Sequence, residues 1–398
     1  MKGHIRKYEL KDGSKRWAAV VYQGKRVALT GELRNSYRWI RGFQTQKAAQ
    51  SQLTKVLKSV GDGTYTEPSK QTLAEFLGRW LKTVQPNLAP KTFERYKQLV
   101  EVNINPSLGA ILLTHLQPVQ IAEFYTWAGT AGKRRTNSGL NLRTVLHIHR
   151  LLRHALQQAV LWQLRPTNPA DLVDAPRPPE IEMKPIEEDR AGSLILLSEG
   201  TRLFLPILTA LCTGMRRGEI LGIRWSDLNF ESSQVTVNQS VSETRKDGVF
   251  FKSPKRKKSR RTITLPAILI AAIKEQQKHQ EEFRNMFGPD YKDFDLVMPN
   301  PDGTPWPPDR FSRIYKDFVR SRGAGEIRFH DLRHTHASEL LRRGTPLKTV
   351  SERLGHANAS ITLNTYAHVM NGDDEKASDL VGDLLEKQLM KQRKKDTK

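Results

Sequence analysis

Apolar positions along this chain change their period more than once, and the changes divide it. Over residues 1–62, the runs HIRKYEL, RWAAVVYQ and KRVALT alternate or are rich in β-formers, with KDGSK and QGK between them, which predicts a three-stranded meander. A helix follows, capped at Thr45 and carried through KAAQSQLTKVLKSV to Gly61. From Thr72 the spacing becomes that of amphipathic helices, with Leu73, Phe76, Leu77, Trp80 and Leu81 on one face. A second helix lies between Pro90 and Gly109. LQPVQIAEFYTWAG and LNLRTVLHIHRLLRHALQQAVLWQL complete a bundle of four or five helices, whose core is expected to hold Trp80, Trp127 and Trp162. The basic stretch GKRRTNSG, 132–139, separates its last two long helices. Residues 63–70 and 176–186, with their prolines, small polar residues and charges, read as linkers.

The remainder predicts a mainly helical domain over 187–388 with one small sheet, then a basic, disordered tail at 389–398. LFLPILTALCTGMRRGEILGIRWSDLNF reads as a buried helix, a tight turn at Gly214 and a second helix opening at Arg216. QVTVNQSV, VFFK and RRTITLP are strand-like around a run in which seven of the ten residues from Lys252 to Arg261 are basic. On a hairpin such a run is a finger aimed at phosphates, which relieve its repulsion. Residues 329–369 hold the densest chemistry. A helix begun near Asp331 should stop at Gly344, Pro346 fits the first turn of the next, and Gly355 ends that one, whose buried stripe is Leu347, Val350 and Leu354. His330 and Arg333, three apart, share a helix face. His356 falls at a helix end, and Tyr366 comes ten residues later, where a short third helix returns it to the same pocket. After Val369, a helix from about Asp374 carries Leu380, Leu384, Leu385 and Leu389 on one side.

Charge narrows the partner. The formal net charge is +23 over 398 residues, and such an excess favours a polyanion, most simply nucleic acid, although a merely basic structural protein has the same signature. No apolar run approaches bilayer length and MKGHIRKYELK lacks a signal-peptide core, so a cytoplasmic protein is expected. Cys212 stands alone, which excludes an intrachain disulfide and a cysteine-rich metal cluster, and its neighbours LTALCTGM place it in a core.

Singly, an HxxR, a GH or a tyrosine is usually a helix surface, a helix end or a core residue. In their joint order, HDLRH, then LGHANASITLNTYAHV, with TGMRRGEI upstream at 213–220, resemble the tyrosine recombinase (phage integrase) family. The resemblance implies a multidomain chain, mainly α with small β-sheets: an arm-type DNA-binding domain at 1–62, a core-binding helical domain at 71–175 and a catalytic α+β domain at 187–388. It implies a site-specific recombinase that cleaves and rejoins duplex DNA through a 3′-phosphotyrosyl intermediate, integrating or excising a mobile element such as a prophage, without cofactor or metal. By motif position Arg216 is the first catalytic arginine and Glu219 the acidic residue that holds the site together, leaving Arg217 a solvated charge. Lys255 is the general acid for the leaving 5′ oxygen; the usual Lys-Thr is here Lys255-Arg256, so Lys257 and Lys258 remain alternatives. His330, Arg333, His356 and the nucleophile Tyr366 complete the set.

Residue chemistry agrees with those roles. Paired guanidiniums can clamp the non-bridging oxygens of a pentacoordinate phosphorus, a phenol at a helix surface beside cations can attack it, His330 can assist removal of the phenol's proton, and His356 can donate to a phosphate oxygen. His334, His336 and His368 are extra histidines, with HTH at 334–336 wrongly spaced for two ligands on one helix face. The implied partners are duplex DNA at core and arm sites, a tetramer of the chain on DNA, and a directionality factor or host DNA-bending protein, all at the nucleoid. A type IB topoisomerase and a non-catalytic DNA-binding protein stay open as alternatives. The arm-like unit disfavours the first; intact Arg216, Arg333 and Tyr366 disfavour the second.

Overall fold

Three antiparallel strands open the chain: β1 (Gly3–Glu9), β2 (Lys15–Val27) and β3 (Leu33–Phe43), in the order β1-β2-β3. The computed structural model describes residues 2–27, 33–61, 70–133, 136, 138–179, 186–253, 260–367 and 373–396, in two compact units, Met1–Glu180 and Ile181–Lys398. The meander was expected, but its third strand lies elsewhere. KRVALT begins inside β2, and LRNSYRWIRGF forms β3. QGK is not a turn, because Gly24, at φ +103°, absorbs a register shift between Tyr22 and Gly24 as a bulge and the strand runs on. Helix α1 (Gln46–Gly61), capped by Thr45, lays Leu53 and Val56 on Ala19 and Val21.

In the helical part of this unit, α2 (Leu73–Val84) starts at a capping box in which Thr72 accepts from Glu75 N–H and Glu75 accepts in return. All five residues of its predicted stripe are buried. α3 (Pro90–Gln98) continues through a π-helical stretch, Leu99–Ile104, into α4 (Asn105–Leu108). α5 (Pro118–Ala131) and α6 (Leu142–Leu161) follow. Trp80 is a core residue and Trp162 packs edge-on against Phe76, but Trp127 is 42% exposed and stacks on Phe124 at the surface. The expectation that Trp127 lies in the bundle core is thus corrected.

The second unit is built from α7 (Glu188–Ser198), α8 (Phe204–Thr213), α9 (Arg217–Ile220), β4 (Leu228–Asn229), β5 (Gln234–Thr236), β6 (Ser240–Thr244), β7 (Gly248–Lys252), β8 (Thr262–Thr264), α10 (Ala267–Phe287), α11 (Pro308–Ser321), α12 (Phe329–Arg342), α13 (Leu347–Leu354), α14 (Ala359–Tyr366) and α15 (Asp373–Asp396). Its strands form two separate sheets, β4-β5-β8 and β6-β7. The basic run therefore does not sit on one hairpin: β7 pairs with β6, β8 pairs with β5, and the run links the two sheets. Lys255, Lys257 and Lys258 lie outside the described residues. The aromatic rings of Phe311 and Tyr315 on α11 each meet Phe329 edge-on, at 4.9 and 5.2 Å between centroids. That plug fixes the first residue of α12, and with it His330. α15 continues to Asp396, through most of the tail expected to be disordered; Leu384, Leu385 and Leu389 on it are about half exposed, as are Val381 and Met390. No described helix is long and apolar enough to cross a membrane.

Candidate active site

Gly214 makes the approach possible. At φ +65° it caps α8 in the left-handed region, and a Cβ there would sit 2.6 Å from Cδ2 of His336, so the missing side chain lets α12 lie against the end of α8. His336 Nδ1 closes the contact on the Leu211 carbonyl at 2.7 Å. α12 itself starts two residues before Asp331, because Asp331 occupies the third helical position and accepts the Arg328 N–H at 2.8 Å.

Across this junction three guanidiniums gather at the carboxyl end of α13. Arg333, buried, donates to the Gly214 carbonyl at 2.6 Å and the Leu354 carbonyl at 2.8 Å. Arg216, whose side chain is 42% exposed, donates to Glu219 Oε1 at 2.9 Å and the Gly355 carbonyl at 3.3 Å. Arg261 donates to the Arg353 carbonyl at 2.6 Å and to Glu219 Oε2 at 2.8 Å. Three successive carbonyls, 353 to 355, thus each take a different arginine, at the helix end where the backbone dipole is negative. Arg216 and Arg261 share the Glu219 carboxylate, which also accepts the Arg216 N–H at 2.9 Å. Burial opposes its charge, but the Arg261 bond and charge, followed by Arg216, hold its pKa at about 2. The Arg333 guanidinium is pushed down by burial and by Arg216.

The histidines sit around this cluster in an order the spacing did not reveal. His330 keeps part of its surface accessible on α12, its ring edge-on to that of His334 at 4.8 Å, and partial desolvation, then the Arg333 charge, lower its pKa. His356, after Gly355, is held through Nδ1 by the Thr362 hydroxyl at 2.8 Å; burial, then Arg333, Arg216 and Arg261, push it down to about 4. Tyr366, the last residue of α14, is not at a helix surface. It is 1% exposed, and its hydroxyl bonds His334 Nδ1 at 2.8 Å. The histidine on the phenol is therefore His334, one of those read as extra, and not His330. Burial raises the phenol to about 12 and lowers His334 to about 4, so both are neutral in this arrangement, and His334 Nε2 is buried without a partner among the described residues.

Arg217 also departs from expectation. Instead of a solvated charge it is a half-buried tie from α9 to α11, bonded to Ser312 Oγ and 3.7 Å from Asp309. Two residues escaped the motif, Arg261 and His334. Nothing local marks Arg261 within its basic run. The four-residue spacing of His330 and His334, which puts both on one helix face, was a usable signal for the second.

A family model described as the phage integrase family matches residues 188–372, and one described as the phage integrase N-terminal SAM-like domain matches 72–127. Among curated proteins, the chain is 28% identical to a tyrosine recombinase XerC-like protein of Caldanaerobacter subterraneus over 86% of this chain and 90% of that one. It is 30% identical to the ICEBs1 integrase of Bacillus subtilis over 64% of this chain and 69% of that one. Among solved structures, a Tn1549 transposon integrase in complex with a circular intermediate DNA superposes with a TM-score of 0.65 at 19% identity, covering 77% of this chain and 98% of that one. A lambda integrase dimer bound to a core site gives 0.51 at 16%, covering 92% and 94%.

Proposed function

The chain belongs to the phage integrase family, enzymes of site-specific recombination that cleave and rejoin DNA to integrate mobile elements, and from that premise we propose that Tyr366 is its nucleophile and the arginine cluster at α13 its phosphate clamp. The observation that carries this reading is the convergence of Arg216 and Arg333 on adjacent carbonyls, with Tyr366 close enough for Arg333 to lower its pKa against burial. In the reaction the Tyr366 oxygen bonds to phosphorus and the bond from phosphorus to the 5′ oxygen breaks. The phenol's proton leaves to a histidine, and the 5′ oxygen takes a proton from the general acid expected at Lys255. Arg216 and Arg333 stabilise the charge on the non-bridging oxygens. In the tautomer in which Thr362 donates to Nδ1, neutral His356 carries its proton on Nε2 and can donate to one of them. Because the 3′-phosphotyrosyl linkage conserves the bond, a 5′ hydroxyl from another duplex reverses the step.

Tyr366 must leave His334 to reach phosphorus. The thin burial of α14 supports such a movement: Thr362 and Tyr366 are its buried residues, while Ile361 and Leu363 are exposed. The exposed apolar side of α15 suits contact with a second copy, consistent with a tetramer on DNA. The sheet of β1 to β3, whose Arg6 and Arg41 lie over the Trp39 ring, suits duplex DNA at arm sites, with 71–175 on the core site and 187–388 catalytic. A directionality factor or host bending protein completes the expected partners, in the cytoplasm at the nucleoid.

The test is covalent trapping on a nicked duplex copied from the junction of the source element. A protein–DNA adduct on a denaturing gel, undiminished by chelator and mapped by mass spectrometry to the peptide holding Tyr366, is expected; an adduct on any other residue would overturn the assignment. Protonation gives a second check. Bound phosphate offsets the arginine charge that depresses His356, so its pKa should rise from about 4 towards the ordinary histidine range, and DNA binding at about pH 5.5 should take up protons. Calorimetry in buffers of different ionisation heat measures this, and proton release would contradict it.

A further inference from the structure

Arg261 is buried among groups already assigned, yet the roles above leave it with none. Its Nη2 meets Glu219 Oε2 at 2.8 Å, its Nη1 meets Oε1 at 3.4 Å, and its Nε meets the Arg353 carbonyl at 2.6 Å. Gly355 is shaped to admit it: at φ +67°, a Cβ there would lie 2.8 Å from Arg261 Nη1. The side chain is 7% exposed, against 42% for Arg216. Arg216 faces solvent while Arg261 sits behind it on the same carboxylate.

That geometry sets what Arg216 has left to offer. A carboxylate with one arginine beside it pairs both its oxygens and neutralises the cation. Here Arg261 takes a side-chain bond on each oxygen, so Glu219 holds Arg216 through one guanidinium nitrogen and its backbone N–H. Counting Arg216, Arg261 and Arg333 against Glu219, three positive charges face one negative, an excess of two. Attack on a phosphodiester turns a monoanion into a dianionic pentacoordinate state, which that excess matches.

We propose that Arg261 is a positioning residue for the phosphate clamp, occupying Glu219 and the end of α13 so that Arg216 is aimed outward with its charge available to the scissile phosphate. This rests on the reading of Tyr366 as nucleophile, and Tyr366→Phe accompanies every assay: an adduct formed by that variant would sink the nucleophile assignment, not this one. The experiment is single-turnover cleavage by the full chain on two nicked duplexes, one with an ordinary scissile diester and one with a methylphosphonate there, which removes the negative charge the clamp exists to meet.

Arg261→Gln should cleave the diester on the order of 100-fold more slowly than the parent chain, the scale of a misplaced catalytic group. On the methylphosphonate its deficit against the parent should largely disappear. Arg261→Lys keeps the charge but cannot span both Glu219 oxygens and the Arg353 carbonyl, and should show the same pattern more weakly. It carries the comparison should the glutamine variant fail to fold. An equal deficit on both substrates would mark a merely structural residue, and no deficit on the diester would remove Arg261 from the clamp; either result overturns the proposal.

Discussion

Tyr366→Phe is expected to bind its DNA as the parent chain does and to form no covalent adduct, a loss on the order of 10⁴-fold or more, as when a nucleophile is deleted from an otherwise intact site. The substitution removes one oxygen and keeps the ring that packs with Ala337, Leu341, Val350 and Leu354. Its structural cost falls on His334, whose Nδ1 loses its 2.8 Å partner while Nε2 is already buried without one. Leaving a buried nitrogen unpaired costs about 1–3 kcal/mol, so a modest drop in thermal midpoint should accompany the loss. Filter binding, a denaturing gel and a melting curve separate the three readouts. Adduct formation at the parent rate would mean that the buried phenol is a core residue and that the nucleophile lies elsewhere.

How much of this was legible depended on whether the signal was local. The stripe of α2 and the stops of α12 and α13 were readable because a 3.6-residue period and a glycine in the left-handed region are written within a single element. Motif order named Arg216, Glu219, Arg333, His356 and Tyr366 for the same reason, since all but Arg333, in the second turn of α12, lie at or beside a helix end. The third strand was misplaced because KRVALT and LRNSYRWIRGF are equally strand-like, and a glycine that makes a bulge looks, in sequence, like one that makes a turn.

The pairing of strands and the pairing of charges were not local. That β8 joins β5 rather than β7 follows from the packing of Val235 and Ile263 in the core of the second unit, which no alternation pattern encodes. Arg261 reaches Glu219 across 42 positions and Tyr366 meets His334 across 32, so the sequence could name the candidates without saying which touch. The burial of Tyr366 was missed for a related reason. A nucleophile is expected at a surface, whereas this phenol lies in a small apolar cluster whose burial keeps it protonated.

Arg333→Lys should be nearly as inactive as Arg333→Ala while being the more stable of the two. The guanidinium bridges the Gly214 and Leu354 carbonyls, tying the end of α8 to the end of α13. A lysine ammonium can restore the charge and one of those bonds, but it cannot reproduce the planar fork that spans both and meets a phosphate. Loss of such a donor from a preorganised site costs on the order of 10²–10³ in rate, and both variants should fall at least that far in single-turnover cleavage. Alanine also leaves two buried carbonyls without a donor, at about 1–3 kcal/mol each, partly offset by relief of the repulsion among Arg216, Arg261 and Arg333. The melting curve should therefore order parent, lysine and alanine, while cleavage places lysine beside alanine. If Arg333→Lys cleaved within about tenfold of the parent, charge alone would suffice and the clamp would not depend on the bidentate geometry of arginine.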